Sequence, residues 1–201
     1  MTNLLNLKKH ADQRTRLLAH ARHLFAVQGI KETSMSQVAK ACKVTKATLY
    51  HYFKSKDAIL KEILDCRSKT IEATTQGARA QNLEECLDQI ARSHLKKMDE
   101  PENLELMEIM ISETMKNQEM RKFYMEFLKE NIGLGAQAVA PFIQGKKNEK
   151  EMRLLFFQFM STLVHYDWNV KMVGDPSGFI GGEEAFVRQL VKTYTLAFQA
   201  V

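Results

Sequence analysis

Residues that interrupt helices are scarce in this sequence of 201 residues, which contains only 3 Pro and 9 Gly. Runs of β-branched residues are also few, whereas Leu, Met, Ala, Glu and Lys, which favour helices, dominate. The composition therefore argues against a sheet and predicts an all-α protein. With 45% apolar residues, the chain can bury the core of one large domain or of two small ones.

The sequence also lacks membrane and secretion signals. No stretch reaches the roughly 20 apolar residues that a membrane span needs, and the N-terminus lacks the apolar core of a signal peptide. Three cysteines, Cys42, Cys66 and Cys86, are too widely spaced to indicate a disulfide framework or a zinc site. We interpret them as small buried apolar residues, and we expect a cytoplasmic protein that needs no metal or cofactor.

Catalytic motifs are missing as well. The sequence has no nucleophile–His–Asp pattern, no HExxH or CxxC motif and no glycine-rich phosphate loop. His165 and Asp167 are close in sequence, but a spacing of two residues puts them on different faces of a helix. We therefore expect no enzymatic activity.

Acidic residues are scarce in one part of the chain. Residues 1–60 carry eleven Lys and Arg against three acids, which gives +8, whereas residues 61–201 carry eighteen against twenty-one, which gives −3. A basic segment joined to a slightly acidic body suggests that one end of the chain meets a polyanion. A lysine-rich face can also simply be solvated, and charge alone does not separate these two interpretations.

The basic segment has the pattern of several short helices. The first follows Asp12 and ends at Gly29, and Leu17, Ala21, Leu24, Phe25 and Gln28 lie on one stripe of this amphipathic helix. Ser34 opens a second helix with a capping box. Thr45 can cap a third, which runs to Phe53, and Ser55 can cap a fourth. Two short helices joined by a three-residue turn are the outline of a helix-turn-helix.

The predicted helices beyond about residue 75 are longer. Asn82 opens one with a capping box, and Pro101 can sit in the first turn of the next. Another is expected from about 117 towards 142, loosened by Gly133 and Gly135.

One stretch of the sequence carries a motif that is specific to a known protein family. Residues 33–57, with the sequence TSMSQVAKACKVTKATLYHYFKSKD, closely resemble the DNA-binding signature of the TetR family, and the resemblance spans about residues 12–72. It implies a three-helix DNA-binding domain with a helix-turn-helix over 12–72 and a helical ligand-binding and dimerisation domain over 73–201, about nine helices in all. It further implies a homodimeric repressor that a small, largely apolar ligand releases from double-stranded operator DNA. The alternative is a helical architectural protein that binds DNA without ligand control.

The residues expected to contact DNA follow from this resemblance and from helix geometry. Leu49 and Phe53 face the core, which leaves the other side of the third helix for the major groove. The predicted DNA-binding residues are Thr33, Ser34, Thr45, Lys46, Ala47, Thr48, Tyr50, His51, Tyr52 and Lys56. We expect phosphate contacts from Thr33, Ser34, Tyr50, Tyr52 and Lys56, and sequence specificity from Lys46, Ala47, Thr48 and His51. Tyr50 could instead pack into the domain.

Two positions depart from the family pattern. The family usually has glycine in the turn where this chain has Lys43, and a left-handed conformation there would cost lysine roughly 1 kcal/mol. If Lys43 is not left-handed, the turn between the two helices has a different shape from that of the family. Ala47 stands where glycine or proline is common, which would change how closely the helix approaches the groove.

The rest of the chain is expected to dimerise and to bind a ligand. Two C-terminal helices, at about 149–172 and 183–199, are apolar on more than one face. The resemblance implies that they pair with a second copy, although burial within the monomer is the alternative. A methionine-rich region with polar-tipped aromatics could line a pocket or simply form a core. The predicted ligand-binding residues are Met107, Met110, Tyr124, Met125, His165 and Trp168.

Overall fold

The computed structural model describes residues 2–64, 80–143, 147–174 and 181–200, with side chains from residue 12 onwards. These ranges contain nine α-helices and no strand, which confirms the predicted all-α fold. The helices are α1 (Thr2–Gln28), α2 (Met35–Ala41), α3 (Lys46–Tyr52), α4 (56–64), α5 (Leu83–Met98), α6 (Pro101–Lys116), α7 (Gln118–Val139), α8 (Glu149–Tyr166) and α9 (Gly182–Gln199). None of the helices in these ranges is long and apolar enough to cross a membrane.

Helix starts follow the N-caps that the sequence predicts at Ser34, Thr45, Ser55 and Asn82, although the predicted capping box at Asn82 does not form, because Glu85 accepts from the N–H of Gln81. In each of five cases a side chain accepts a hydrogen bond from the backbone N–H three residues later, and these N-caps are Ser34, Thr45, Ser55, Asn82 and Asn148. The start of α1 differs, because this helix begins at Thr2 and not after Asp12. No Pro or Gly interrupts residues 2–28, so the helix extends beyond its amphipathic part until Gly29 adopts a left-handed conformation.

The chain divides into two compact units. The first comprises Met1–Arg67 and Glu105–Arg121, and the second comprises Ser68–Leu104 and Lys122–Val201. In the first unit, the core residues from α1 to α4 include Leu17, Ala21, Phe25, Val38, Leu49, Phe53, Ile59 and Leu60. The second unit has its core between α5, α7, α8 and α9, around the fully buried Phe159.

A polar contact joins α1 to α4 within the first unit. The guanidinium of Arg14 donates two hydrogen bonds of 2.5 Å to the carboxylate of Glu62. The same guanidinium lies 4.8 Å from the centre of the Phe53 ring, at the end of α3. A bidentate ion pair that also stacks on an aromatic ring fixes both distance and orientation. Arg14 therefore connects the first helix to the segment between the third and the fourth.

Helix α7 in the second unit is not loosened by its glycines. It continues without a break from Gln118 to Val139, and a single 3-10 turn follows at Ala140–Phe142. The expected effect of Gly133 and Gly135 was wrong because Gly135 serves packing: a Cβ there would overlap the ring of the buried Phe156. The missing side chain lets the helix backbone approach this ring.

We expect Gly135→Ala to destabilise the second unit by about 1–3 kcal/mol, because Phe156 must shift in a packed core. Gly133→Ala is the matched control, since a Cβ at that position has only the Arg153 side chain near it, at 3.7 Å. The control should be neutral or stabilising by up to about 1 kcal/mol through helix propensity. Thermal unfolding of both variants measures the difference, and equal effects would contradict this role of Gly135.

Helix α8 continues into a π-helical segment at Asp167–Met172, so the predicted helix over 149–172 contains two kinds of turn. Asp167 is fully buried, and its Oδ2 lies 2.6 Å from Nε2 of His94 on α5. Lys171 donates to the Leu95 carbonyl, also on α5, at 2.6 Å. The segment thereby ties α8 to α5. His165 is exposed, so it does not pair with the buried Asp167.

Two of the three cysteines lie in the described ranges, and both are buried, as predicted. Burial raises the pKa of the Cys86 thiol to about 11, with a further contribution from the charge of Glu85. Burial also raises the pKa of Cys42, although the charge of Arg16 opposes it. Cys66 lies outside the described residues. A thiol with a raised pKa holds little of the reactive thiolate.

In a Cys66→Ser variant, we expect Cys42 and Cys86 to react slowly with a disulfide reagent at mildly alkaline pH, because they are buried thiols. Absorbance of the released thiol follows the reaction, and the same protein in denaturant gives the reference rate. Labelling as fast in the native as in the denatured protein would show that these sites are accessible.

Candidate nucleic-acid interface

Helices α2 and α3 are joined by a turn with fixed geometry. Helix α2 is followed by its C-cap, Cys42, and the next two backbone N–H groups donate to carbonyls of the helix: Lys43 to Lys40 at 3.1 Å and Val44 to Ala39 at 3.0 Å. This pair of hydrogen bonds defines a Schellman motif, in which the residue after the cap is left-handed. Lys43 has φ = 55°, so the strained conformation expected for it is confirmed.

Helix α3 has one buried and one exposed face. Leu49 is completely buried and Phe53, its C-cap, is 2% exposed. On the opposite side Lys46, Ala47, Tyr50 and His51 are exposed. Tyr50 is 44% exposed and lies beneath the ammonium of Lys46, so it does not pack into the core. A helix with this division can present one face to a groove while the other holds it in the domain.

The polar residues beside this face are partly engaged with one another. The Thr45 hydroxyl caps α3, and its oxygen lies 2.8 Å from that of Thr48. The half-buried ring of Tyr52 makes an edge-to-face contact with His51, with 5.5 Å between the ring centres. Ser34 is exposed at the start of α2, where its hydroxyl and backbone form the predicted capping box with Gln37. These residues border the exposed face of α3.

Two predicted DNA-binding residues have partners within the domain. Thr33 is 1% exposed, and its hydroxyl donates to the Gly29 carbonyl at 2.7 Å and accepts from the Gln28 amide. The Lys56 ammonium donates to the carbonyls of Ile30 and Lys31 after α1. Both side chains hold the segment between α1 and α2 in place. We therefore leave Thr33 and Lys56 out of the candidate interface.

Several exposed lysines were not among the predicted contacts. Between Glu32 and Asp57 the chain has five lysines and no acidic residue. Of these, Lys40, Lys43 and Lys54 are exposed. The excess of basic residues among the first sixty indicated such lysines, but the family signature directed the prediction to the third helix, Thr33, Ser34 and Lys56. The helix-turn-helix and its flanks form a basic surface.

Helix α1 is also held by α6 in the first unit. The carboxylate of Glu105 accepts a hydrogen bond of 3.0 Å from Nε of Arg22 and lies 2.6 Å from Nδ1 of His23. Burial alone would raise the pKa of Glu105, but the hydrogen bonds from His23 and Arg22 outweigh it and lower the pKa below its ordinary value. The ion pairs therefore stabilise the folded unit while Glu105 is ionised.

Because the folded-state pKa of Glu105 is lowered, its contribution to stability is complete above the unfolded-state pKa of about 4.3 and disappears as the pH falls through the folded-state value. We expect Glu105→Gln to lower the melting temperature at neutral pH by about 2–4 °C. The difference from the wild type should shrink in acid. Glu108→Gln, at an exposed position of α6, is the control. A difference that stays constant across the acid range would contradict the ion-pair explanation.

The predicted ligand-binding residues fall into both units. Met107 and Met110 are buried in the first, which agrees with the alternative of a methionine-rich core. In the second unit Met125 is 58% exposed, and His165 and Trp168 are exposed too, whereas Tyr124 is half-buried. The second unit also contains a cleft of about 420 Å³, whose charged lining includes Asp88, Arg92 and Glu184. None of the predicted ligand-binding residues lines it.

A helix-turn-helix with an exposed face on its second helix, in a basic stretch of chain, is the architecture of a DNA-binding domain of transcriptional regulators. Residues 17–63 match the family model described as bacterial regulatory proteins, tetR family. The match runs from α1 to α4 and identifies a TetR-type DNA-binding domain in this part of the chain, which is about a quarter of its length.

Relatives with curated descriptions agree over the same region. The chain is 41% identical over 51 residues to the HTH-type transcriptional regulator UidR of Escherichia coli (strain K12), a match that covers 25% of this chain and 26% of UidR. The alignment thus spans about a quarter of the relative's length.

Solved structures extend the likeness in fold to most of the chain. The fatty acid degradation regulator FadR from Bacillus halodurans superposes with a TM-score of 0.71 at 17% identity, covering 94% of this chain and 96% of FadR. AibR, in complex with isovaleryl coenzyme A and operator DNA, gives a TM-score of 0.65 at 20% identity, covering 90% of this chain and 97% of AibR. At these identities the likeness establishes a shared fold.

Proposed function

We propose that this protein is a sequence-specific transcriptional regulator that binds double-stranded operator DNA through the exposed face of α3. The observation that carries this proposal is the division of α3 into a face anchored by Leu49 and a solvent-exposed face with Lys46, Tyr50 and His51. The major groove of duplex DNA admits one α-helix and attracts cationic side chains. We assign DNA binding to residues 12–72 and dimerisation with ligand control to 73–201.

The residues of the interface divide by chemistry. Lys46 can donate to guanine acceptors, Thr48 and Ala47 can contact a thymine methyl group, and His51 can meet a base edge. The hydroxyls of Ser34, Thr45, Tyr50 and Tyr52 suit phosphate oxygens, which set position and not sequence.

The proposal is tested with genomic DNA fragments selected on the purified protein, followed by titration of a recovered duplex at fixed salt. Replacing Lys46 and Tyr52 together by Ala should weaken binding by about tenfold or more. Lys96→Ala, an exposed lysine of α5, is the control for a lost positive charge. Unchanged affinity in the double variant would refute this binding surface. Equal affinity of the wild type for a scrambled duplex would favour the architectural alternative.

The functional form that we propose is a homodimer through α8 and α9, as twofold operators require. Some apolar side chains of these helices, such as Phe156 and Phe159, are buried in the monomer. Others remain outside: Leu154, Phe157 and Val164 follow one face of α8 and are 56%, 41% and 40% exposed. An apolar stripe of this kind marks a protein–protein contact.

We expect Phe157→Glu to convert a dimer into a monomer, because it introduces a charge in the centre of the stripe. Gln158→Glu, at the neighbouring exposed position, adds the same charge beside the stripe and should remain dimeric. Sedimentation equilibrium distinguishes the two states. If both variants keep the mass of the wild type, α8 does not form the interface.

We also propose that the regulator is a repressor and that a small, largely apolar ligand releases it from DNA. The support for a ligand site is the fold shared with AibR, whose structure contains isovaleryl coenzyme A together with operator DNA. A ligand that prefers the state with lower DNA affinity shifts the equilibrium by its difference in affinity. The probes, added to the protein–DNA complex, are isovalerate and longer free fatty acids, with isovaleryl coenzyme A as the highly charged comparison. Release by a fatty acid supports a small, largely apolar ligand, and no release by any of them excludes fatty acids as the effector class.

A further inference from the structure

Lys43 occupies the one position of the α2–α3 turn whose backbone must be left-handed. In a Schellman motif the residue after the C-cap has positive φ, and Lys43 has φ = 55° with both hydrogen bonds of the motif in place. Glycine adopts this conformation without steric cost, and asparagine does so with little. For lysine, contact between Cβ and the following carbonyl costs roughly 1 kcal/mol.

The two hydrogen bonds of the turn hold the left-handed backbone, but glycine or asparagine would form them as well, and the Lys43 side chain gains no contact within the described parts of the chain. Lys43 is exposed, and its ammonium forms no hydrogen bond or ion pair with any residue that the structure describes. Its neighbours in sequence offer no ion pair, because Lys40 lies in the last turn of α2 and Lys46 begins α3 without an acidic residue between them. A lysine placed only for solubility could lie anywhere on the surface at no backbone cost. A strained side chain in the turn therefore indicates a requirement for its charge at this place.

We propose that Lys43 binds a DNA phosphate at the edge of the major groove that α3 enters, and that this contact is part of the affinity for the operator. The inference rests on the proposed function of the helix-turn-helix. In such motifs the first helix crosses the DNA backbone and the second enters the groove with its N-terminal end, so the turn between them lies beside the phosphates. Lys43 stands two residues before Thr45, the N-cap of α3.

The experiment compares three replacements of Lys43 in the full-length protein, with the selected duplex as ligand. Lys43→Gly and Lys43→Asn remove the charge and tolerate the left-handed backbone, whereas Lys43→Arg keeps both the charge and the strain. Lys96→Gln removes an exposed charge from α5 and controls for net charge alone. Fluorescence anisotropy over a series of salt concentrations gives the affinity and its salt dependence, and thermal unfolding gives the stability.

We expect Lys43→Gly and Lys43→Asn to weaken DNA binding by about tenfold, the effect of losing one charge-assisted contact. The slope of log affinity against log salt should decrease by about one for each DNA-binding domain. Lys43→Gly should at the same time raise the melting temperature by about 2–4 °C. Lys43→Arg and Lys96→Gln should bind as the wild type does.

An opposite change in stability and DNA affinity identifies a residue kept for binding, since a merely structural residue would change both in the same direction. If Lys43→Gly and Lys43→Asn bind with the affinity and salt slope of the wild type, Lys43 makes no phosphate contact and the inference is overturned. The failure of the proposed function gives a different result, in which the wild-type protein itself selects no duplex. That result overturns the inference as well.

Discussion

The burial of Leu49 and Phe53 is the interaction on which the proposed interface depends. Helix α3 has seven residues, and a helix of this length is not stable in water by itself. Its conformation and direction are therefore imposed by the core of the first unit, in which both side chains are almost completely enclosed. The cap by Thr45 and the Schellman turn fix where the helix begins. Because Leu49 and Phe53 fix which side of α3 is buried, they also determine which side chains of the helix face solvent.

The second unit depends on a different constraint, the close approach of helices. Gly135 has no side chain, so the ring of Phe156 lies against the backbone of α7. At the other end of α8, the π-helical segment brings the buried Asp167 next to His94. A buried carboxylate is tolerated where it meets a hydrogen-bond partner and a positive charge, here the Lys171 ammonium at 3.9 Å from Oδ1. One small residue and one polar contact thus fix how α8 lies against α7 and α5, within the apolar core of the unit.

Local signals in the sequence predicted most of the fold. Such signals involve residues only a few positions apart, so they can be recognised in the sequence without a structure. They include the N-caps, the stripe of α1 and the turn after Cys42. The left-handed conformation of Lys43 could also be predicted, because a Schellman turn requires a positive φ at the residue after the C-cap. In the same way, the family signature located the face of α3.

Contacts between distant parts of the chain could not be predicted. Lys56 has the polar chemistry of a phosphate ligand, but its ammonium donates to the carbonyls of Lys31 and Ile30, which are 25 and 26 residues away in sequence. Glycine disfavours helices, so Gly135 was expected to loosen α7. Only the position of the Phe156 ring against the backbone explains why a glycine stands there. The ligand-binding residues were chosen by chemical type alone. Methionine and tyrosine serve cores and pockets equally well, so type does not decide where they lie.

The contact of Glu105 with Arg22 and His23 has a consequence for the order of synthesis. The first unit is discontinuous in sequence, because residues 68–104 of the second unit separate its two segments. When a ribosome has made only residues 1–67, the carboxylate of Glu105 does not yet exist. Arg22 and His23 can therefore form this contact only after α6 has been translated. Helix α1 thus completes its packing against α6 only after residues 68–104 of the second unit have been made.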